Sequence, residues 1–290
     1  MCIVIISECK AYAFGSMTTG LAIKTSDADC YIALPRFVSE PGDPSNIVKA
    51  RNVLAKRPEI FAELVAIPQA STPIVKFLHT PTKVRCDVSM KNCLSIRNSE
   101  LIKYLLHTDD RLRDVALLLK YWGRVHALTG TGRLSNYALI MMYIFYLQQP
   151  HVSILPPVKV LRTYPVYVEC WDTSFINNVI LPNNLNNTSV PDLLGGFFQY
   201  YGAFNYKKYV ICPYMGVPVE RDLFHSGNLP EGFELYKDNV ANNYCYPLKI
   251  NSPMCVQDPF EQSRNVSTCV SQKFVAMLLS KRRNNYIYMT

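Results

Sequence analysis

Two aspartates two residues apart, Asp27 and Asp29, stand where a strand-like stretch begins: Asp29–Leu34 (DCYIAL) alternates apolar and polar positions. Residues i and i+2 of a strand project from one face, so both carboxylates would stand side by side. Crowded carboxylates repel unless a cation sits between them. Hard divalent ions such as Mg²⁺ (or Mn²⁺) take oxygen ligands of this kind, and two such ions serve in-line displacement at a phosphate. Just upstream, Gly15-Ser16 reads as a turn whose backbone N–H groups and hydroxyl could bond the terminal phosphates of a nucleotide. A third acid on a later strand would complete the metal site, and Asp87 in Val84–Met90 (VRCDVSM) is the candidate. Acid pairs on strand faces are common and Gly-Ser alone is only a turn. The signal is the combination.

Strands on either side must position these residues. Lys10–Phe14 (KAYAF) reads as a strand ending at Gly15-Ser16, and Asp29–Leu34 as one stopped by Pro35. The stretch Asn46–Ala66 carries Ala50, Val53, Leu54 and Ala62 at helical spacing and reads as a helix; Ile74–Leu78 and Lys83–Val88 read as two more strands. From Asn98 the texture changes. Leu101–Leu106, Arg111–Val125 and Ser135–Leu147 read as successive helices, with Asp109 or Asp110 placed to cap the second and Ser135 the third. A stretch broken by Pro150, Pro156, Pro157 and Pro165 follows, then a polar loop, Asn183–Ser189. Beyond it lie a helix starting near Val190, an aromatic helix over Leu193–Tyr206, a Pro-interrupted loop over Met254–Arg264, and a last helix ending in Lys281-Arg282-Arg283. The expectation is an α/β domain over 1–97 and an all-helical domain over 98–290.

The chain has 290 residues, 49% hydrophobic and 18% charged, ample for packed cores and against wholesale disorder. Its longest apolar run, Tyr137–Leu147, falls well short of the ~20 residues that span a bilayer, and reads as a buried helix. No membrane association is expected. The start, MCIVIISECK, has neither a basic region nor a small-residue cleavage site, so no export signal is expected. Ten cysteines contain no C-x-x-C pair, which argues against a zinc site and for reduced thiols in an intracellular protein; a cytoplasmic location is expected, with a mitochondrial one left open. His79, His107, His126, His151 and His225 show no metal-ligand spacing. A net charge of +8 fits a polyanionic partner such as RNA without deciding for one.

Several ordered motifs carry a resemblance. FGSMTTGLAIKTSDADCYI resembles the metal-binding signature of the DNA polymerase β-like nucleotidyltransferases, in their noncanonical poly(A) polymerase and terminal uridylyltransferase branch. VRCDVSMKNCLSIRNSELI resembles that branch's third-aspartate strand and sugar-binding turn. LLLKYWGRVHALTGTGRLSNYALIMM resembles its triphosphate-binding helix and the next helix; DLLGGFFQYYGAFNY and QDPFEQSRNV resemble the poly(A)-polymerase-associated region and nucleotide recognition loop. The resemblance implies an α+β fold, a mixed-sheet palm plus an all-helical poly(A)-polymerase-associated domain, with the active site in the cleft between them. It implies two Mg²⁺ (or Mn²⁺) ions on Asp27, Asp29 and Asp87, with Asp87 also helping to deprotonate a primer 3′ hydroxyl. Gly15 and Ser16 would meet phosphate, Asn98 and Ser99 the ribose, and Lys120 and Arg124 the triphosphate. Tyr137, with Asn136 where the family usually has serine, would stack on the base, and Asp258 and Glu261 match the acids of the recognition loop.

Two departures stand out. Family members generally have a helix before the first strand, and this chain begins almost at the strand. Uridine-selective members often have a histidine where this chain has Arg264. A guanidinium only donates hydrogen bonds, and uracil O4 accepts where adenine and cytosine present an amino group, so arginine there favours UTP, or GTP if the pocket has room. The expected activity is template-independent addition of uridines from UTP to RNA 3′ ends by a monomer that holds RNA itself, with room for a protein partner that delivers RNA. An ATP-using poly(A) polymerase and a catalytically silent RNA- or nucleotide-binding homologue stay open. A cyclic-dinucleotide or oligoadenylate synthase shares the acid triad but does not usually carry the QDPFE loop.

Overall fold

The structure is a computed structural model; it describes residues 9–35, 43–70, 72–130, 132–176 and 186–280. The chain divides into two compact units, 1–104 and 105–290.

The first unit is built on a five-stranded mixed sheet. Its elements are β1 (Lys10–Phe14), a one-turn helix α1 (Ser16–Thr19), β2 (Ala28–Ala33), α2 (Ser45–Leu54), β3 (Phe61–Ile67), β4 (Ile74–His79) and β5 (Val84–Ser89). The strand order is β1-β2-β5-β4-β3, with only β2 and β5 parallel. Alternation along the strands sends Val75, Phe77 and Val88 to one face, where they pack with Ile47 of α2. The opposite face is left for chemistry.

The helix expected over Asn46–Ala66 is corrected: α2 stops at Leu54, and the remainder supplies β3. Pro58 disfavours helical geometry at Arg57, and FAELVAI beyond it pairs antiparallel with β4 through a bulge between Ala62 and Val65. Glu63 takes up the bulge with φ 53°, so Phe61 and then Leu64 and Ala66 all reach the apolar face.

A helix over Leu94–Leu106, α3, spans the division between the units. The change of composition at Asn98 falls inside this helix. The first turns of α3 are nevertheless tied to the sheet unit: the Gly15 amide donates to Ser99 Oγ at 2.8 Å.

The second unit begins with α4 (Asp110–Val125) and α5 (Asn136–Leu147). Asp109 caps α4 by accepting from the Arg111 amide, and Ser135 caps α5 by accepting from Ala138. Every residue from Ala138 to Leu147 is buried, which explains a run apolar on all sides. After a 3₁₀ turn at Val158–Leu161 and a ribbon of β6 (Tyr167–Val168) and β7 (Trp171–Asp172) comes α6 (Val190–Ala203). One helix, capped by Ser189, replaces the two expected from Val190 to Tyr206.

α6 lies against α5. A Cβ at Gly196 would fall 2.1 Å from Tyr146 Oη, so glycine permits the approach, and Tyr201 Oη donates to the Met142 carbonyl at 2.6 Å. A second ribbon, β8 (Tyr209–Val210) with β9 (Val219–Glu220), then α7 (Arg221–Ser226), α8 (Glu234–Ala241) and α9 (Gln272–Ser280) complete the unit. The basic end expected of the last helix, Lys281 to Arg283, and part of the loop expected over Asn183–Ser189 lie outside the described residues. No helix among the described residues is long and apolar enough to cross a membrane.

Candidate active site

Strand pairing positions the acids of the first unit. Asp29 on β2 and Asp87 on β5 are direct partners across the parallel pair. Lys76 on β4 is in turn the direct partner of Asp87. Partners share a face, and neighbouring strands lie about 4.8 Å apart. Asp29, Asp87 and Lys76 therefore form one row, on the side away from Val75 and Val88. Asp27, two residues before Asp29, falls on the same side at the entrance to β2.

Gly15 joins β1 to α1 with φ 73° and ψ −150°. A Cβ there would lie 2.2 Å from Asp29 Oδ2 and 3.0 Å from its Cγ, so only glycine lets this carboxylate rest on the turn. Ser16, half-buried, opens α1, and its carbonyl accepts from the Leu21 amide at 3.1 Å. Ser99, expected at the ribose, spends its hydroxyl on architecture: Oγ accepts from Gly15 and donates to the Ser95 carbonyl at 2.8 Å. Asn98 beside it is 7% exposed.

The donor set suits a hard divalent cation. Asp27, Asp29 and Asp87 offer oxygen alone. Burial raises the pKa of the Cys86 thiol, and Asp87, Asp27 and Asp29 raise it further, so all three acids act on one neighbouring side chain. Among the described residues, no three His, Cys, Asp or Glu side chains converge closely enough to form a finished metal cage. The Asp87 carboxylate turns to Lys76, with Nζ 2.5 Å from Oδ2, and Asp29 turns to Gly15. Paired like charges repel, and each is drawn to what else lies in reach. Backbone register and donor chemistry fit the cation.

The second unit gathers another set. Asp258 is fully buried; its Oδ1 accepts from the Phe260 and Glu261 amides at 2.9 and 3.0 Å, and its Oδ2 accepts from Tyr137 Oη at 3.0 Å. The tyrosine expected to stack on a base is thus fixed by its hydroxyl to the turn over 258–264. Burial and the Asp258 charge hold that hydroxyl's pKa well above its ordinary value. Behind the turn, Gln257 Nε2 donates to the Gln262 carbonyl at 2.7 Å and Gln257 Oε1 accepts from the Cys212 thiol.

Arg264 closes the turn. Its carbonyl accepts from the Asp258 amide at 3.0 Å, and its Nη1 lies 3.5 Å from Glu261 Oε2. Burial opposes the charge on the guanidinium, but Asp258 and Glu261 outweigh it and hold the cation more firmly. Lys120 and Arg124 share a face of α4 yet differ: Lys120 is 4% exposed and Arg124 is open to solvent. A lysine so buried is rare, which separates Lys120, though not Arg124, from a solvated stripe. Asn136 is exposed at the first position of α5.

Sequence reasoning missed Lys76 and Gln257. Lys76 interrupts IVKFL at the position that strand alternation assigns to the acid face, which was a usable signal. Gln257 is legible only once the turn it braces is seen.

Comparison with known proteins bears on the whole chain. Residues 1–107 match the family described as "Poly(A) RNA polymerase, mitochondrial-like, central palm domain", and residues 189–264 match "Cid1 family poly A polymerase". Poly(A) RNA polymerase GLD2-B of Xenopus laevis is 30% identical over 286 residues, covering 93% of this chain and 50% of that protein. The chain belongs to the Cid1/GLD2-type noncanonical poly(A)/poly(U) polymerase family. Solved structures share its fold, a nucleotidyltransferase palm and a poly(A)-polymerase-associated region. The mtPAP structure in complex with UTP superimposes with TM-score 0.78 at 25% identity, over 97% of this chain and 59% of that one. A Cid1 poly(U) polymerase mutant bound to MgATP gives 0.77 at 24% identity, over 99% of this chain and 86% of that one. The chain spans 25% to 53% of the length of the first curated relatives it matches.

Proposed function

We propose that this family member is a template-independent RNA 3′-terminal nucleotidyltransferase that adds uridines from UTP. The observation that carries the reading is the register of Asp29 against Asp87, with Asp27 two residues away and Gly15 shaped around the Asp29 carboxylate. Asp27, Asp29 and Asp87 would hold the divalent cations, two Mg²⁺ in our reading, which supply Lewis-acid stabilisation of charge on the phosphates. Asp87, on the strand beside Asp29, is assigned the proton of the RNA 3′ hydroxyl. Ser16, Lys120 and Arg124 are assigned to the triphosphate, where charge-assisted bonds are strongest, and Asn98 to the sugar. Tyr137, held through Asp258, presents its ring to the base. Much of the rate would come from alignment of nucleotide and primer.

For the base, a guanidinium at Arg264 donates and never accepts, which suits uracil O4. The motif set also resembles that of the uridylyltransferase called Tailor. A second reading, ATP as substrate, has its own support: GLD2-B is named a poly(A) RNA polymerase, and Glu261 draws on the Arg264 guanidinium, which turns that donor away from uracil O4.

Extension of a short RNA with each of the four ribonucleotides, by wild type and by Arg264→His, tests the reading. Wild type preferring UTP, with Arg264→His keeping that preference, is expected. Preference for ATP by both proteins contradicts the base assignment and leaves the nucleotidyl transfer standing.

A further inference from the structure

The row Asp29–Asp87–Lys76 contains a cation that the assigned roles do not use. Lys76 comes from the middle of β4, is the strand partner of Asp87, and brings Nζ to 2.5 Å from Asp87 Oδ2. Its side chain is 42% exposed and that of Asp87 is 19% exposed, so the contact lies at the open edge of the acid face. The lysine is surplus to the core. Val75 and Phe77 on either side of it make the packing contacts beneath the sheet, and the chain already carries a net charge of +8. Two carboxylates paired across adjacent strands cost folding energy, and one ammonium at the end of the row offsets that cost while fixing where one of them points.

We propose that Lys76 is a positioning residue that clamps the Asp87 carboxylate and stands in electrostatic competition with divalent cations for it. The inference rests on the proposed metal-dependent reaction and concerns two effects of opposite sign. A neighbouring ammonium repels an arriving divalent ion, so Lys76 weakens cation binding. The same ammonium holds Asp87 to one orientation, so it speeds a step that depends on alignment. A residue that served only folding would move both quantities in the same direction.

Lys76→Met keeps the length and apolar stem of the side chain without the charge, and Lys76→Arg keeps the charge. Binding of Mn²⁺ to the full chain without nucleotide, read from the electron paramagnetic resonance signal of the free ion, is compared with the rate of RNA extension. For Lys76→Met we expect Mn²⁺ to bind about three- to ten-fold more tightly, while kcat falls at least ~10-fold with little change in KM for the nucleotide. Lys76→Arg should keep both close to wild type. Asp87→Asn should remove the effect of Lys76→Met on Mn²⁺ binding. Weaker Mn²⁺ binding in Lys76→Met, or an unchanged kcat, overturns the proposal. If wild type extends no RNA with any nucleotide, the proposed reaction fails, and the Mn²⁺ arm with its Asp87→Asn control still decides whether Lys76 competes for Asp87.

Discussion

Gly15 and Asp29 occupy one another's space: the carboxylate rests where any side chain at residue 15 would begin, 2.2 Å from an added Cβ. The turn and the Asp29 carboxylate, the proposed cation ligand, therefore cannot vary independently. Gly15→Ala should cost about 1–3 kcal/mol from the left-handed backbone alone, and should also push Asp29 out of line. A 1 Å displacement can reduce rates about 100-fold, so activity should fall far more than stability. Thermal unfolding compared with RNA extension checks this.

Tyr137 Oη donates to Asp258 Oδ2 and so ties α5 to the turn over 258–264. Tyr137→Phe keeps the ring and removes the donor. Two backbone amides still hold Oδ1 of Asp258, so the turn should survive at a cost of about 1.5–3 kcal/mol for a bond to a charged group. With the ring no longer fixed by its hydroxyl, KM for the nucleotide should rise several-fold. An unchanged KM would show that the bond plays no part in base binding.

The caps of α4 and α5 were legible because periodicity and capping residues agree, but the expectation of an all-helical unit is corrected: the ribbons β6–β7 and β8–β9 lie within it, and they and the short helices α7 and α8 carry too few residues for a periodicity to show. Ser135 and Asp109 sit where amide donors must be satisfied, and the structure satisfies them. The acid row was legible in part. Strand alternation puts Asp27 and Asp29 on one face, but which strand lies beside β2 is a matter of topology, and β5 reaches it only through a non-sequential pairing. The helix expected over Asn46–Ala66 failed because apolar spacing cannot distinguish a buried strand from a helix over so short a run. Pro58 was the better guide. Ser99 shows what a motif leaves unsaid: the resemblance implies a ribose contact, and the structure adds that its hydroxyl braces the Gly15 turn.

Asp109 gives a pH dependence with a defined sign. Hydrogen bonds from the Arg111 side chain hold its carboxyl below the ordinary 3.8. A carboxylate with a depressed folded pKa adds stability that is fully present above its unfolded pKa and is lost as pH falls toward the folded one. Urea midpoints measured from about pH 5 down to about pH 2 should therefore fall, and Asp109→Asn, which keeps a capping acceptor, should flatten the slope. An identical slope in the variant would remove Asp109 from the account.

The most direct test of the central claim is Asp87→Asn, measured as single-turnover extension of an RNA primer with saturating nucleotide and Mn²⁺, alongside its thermal unfolding. The substitution removes one charge from the row of Asp29, Asp87 and Lys76 and leaves the strand pairing intact. We predict an unfolding temperature close to that of wild type, since relief of the paired like charges is set against loss of the partly exposed Lys76–Asp87 ion pair, and extension reduced by at least ~1,000-fold. An Asp87→Asn protein that extends RNA at the wild-type rate would contradict the account.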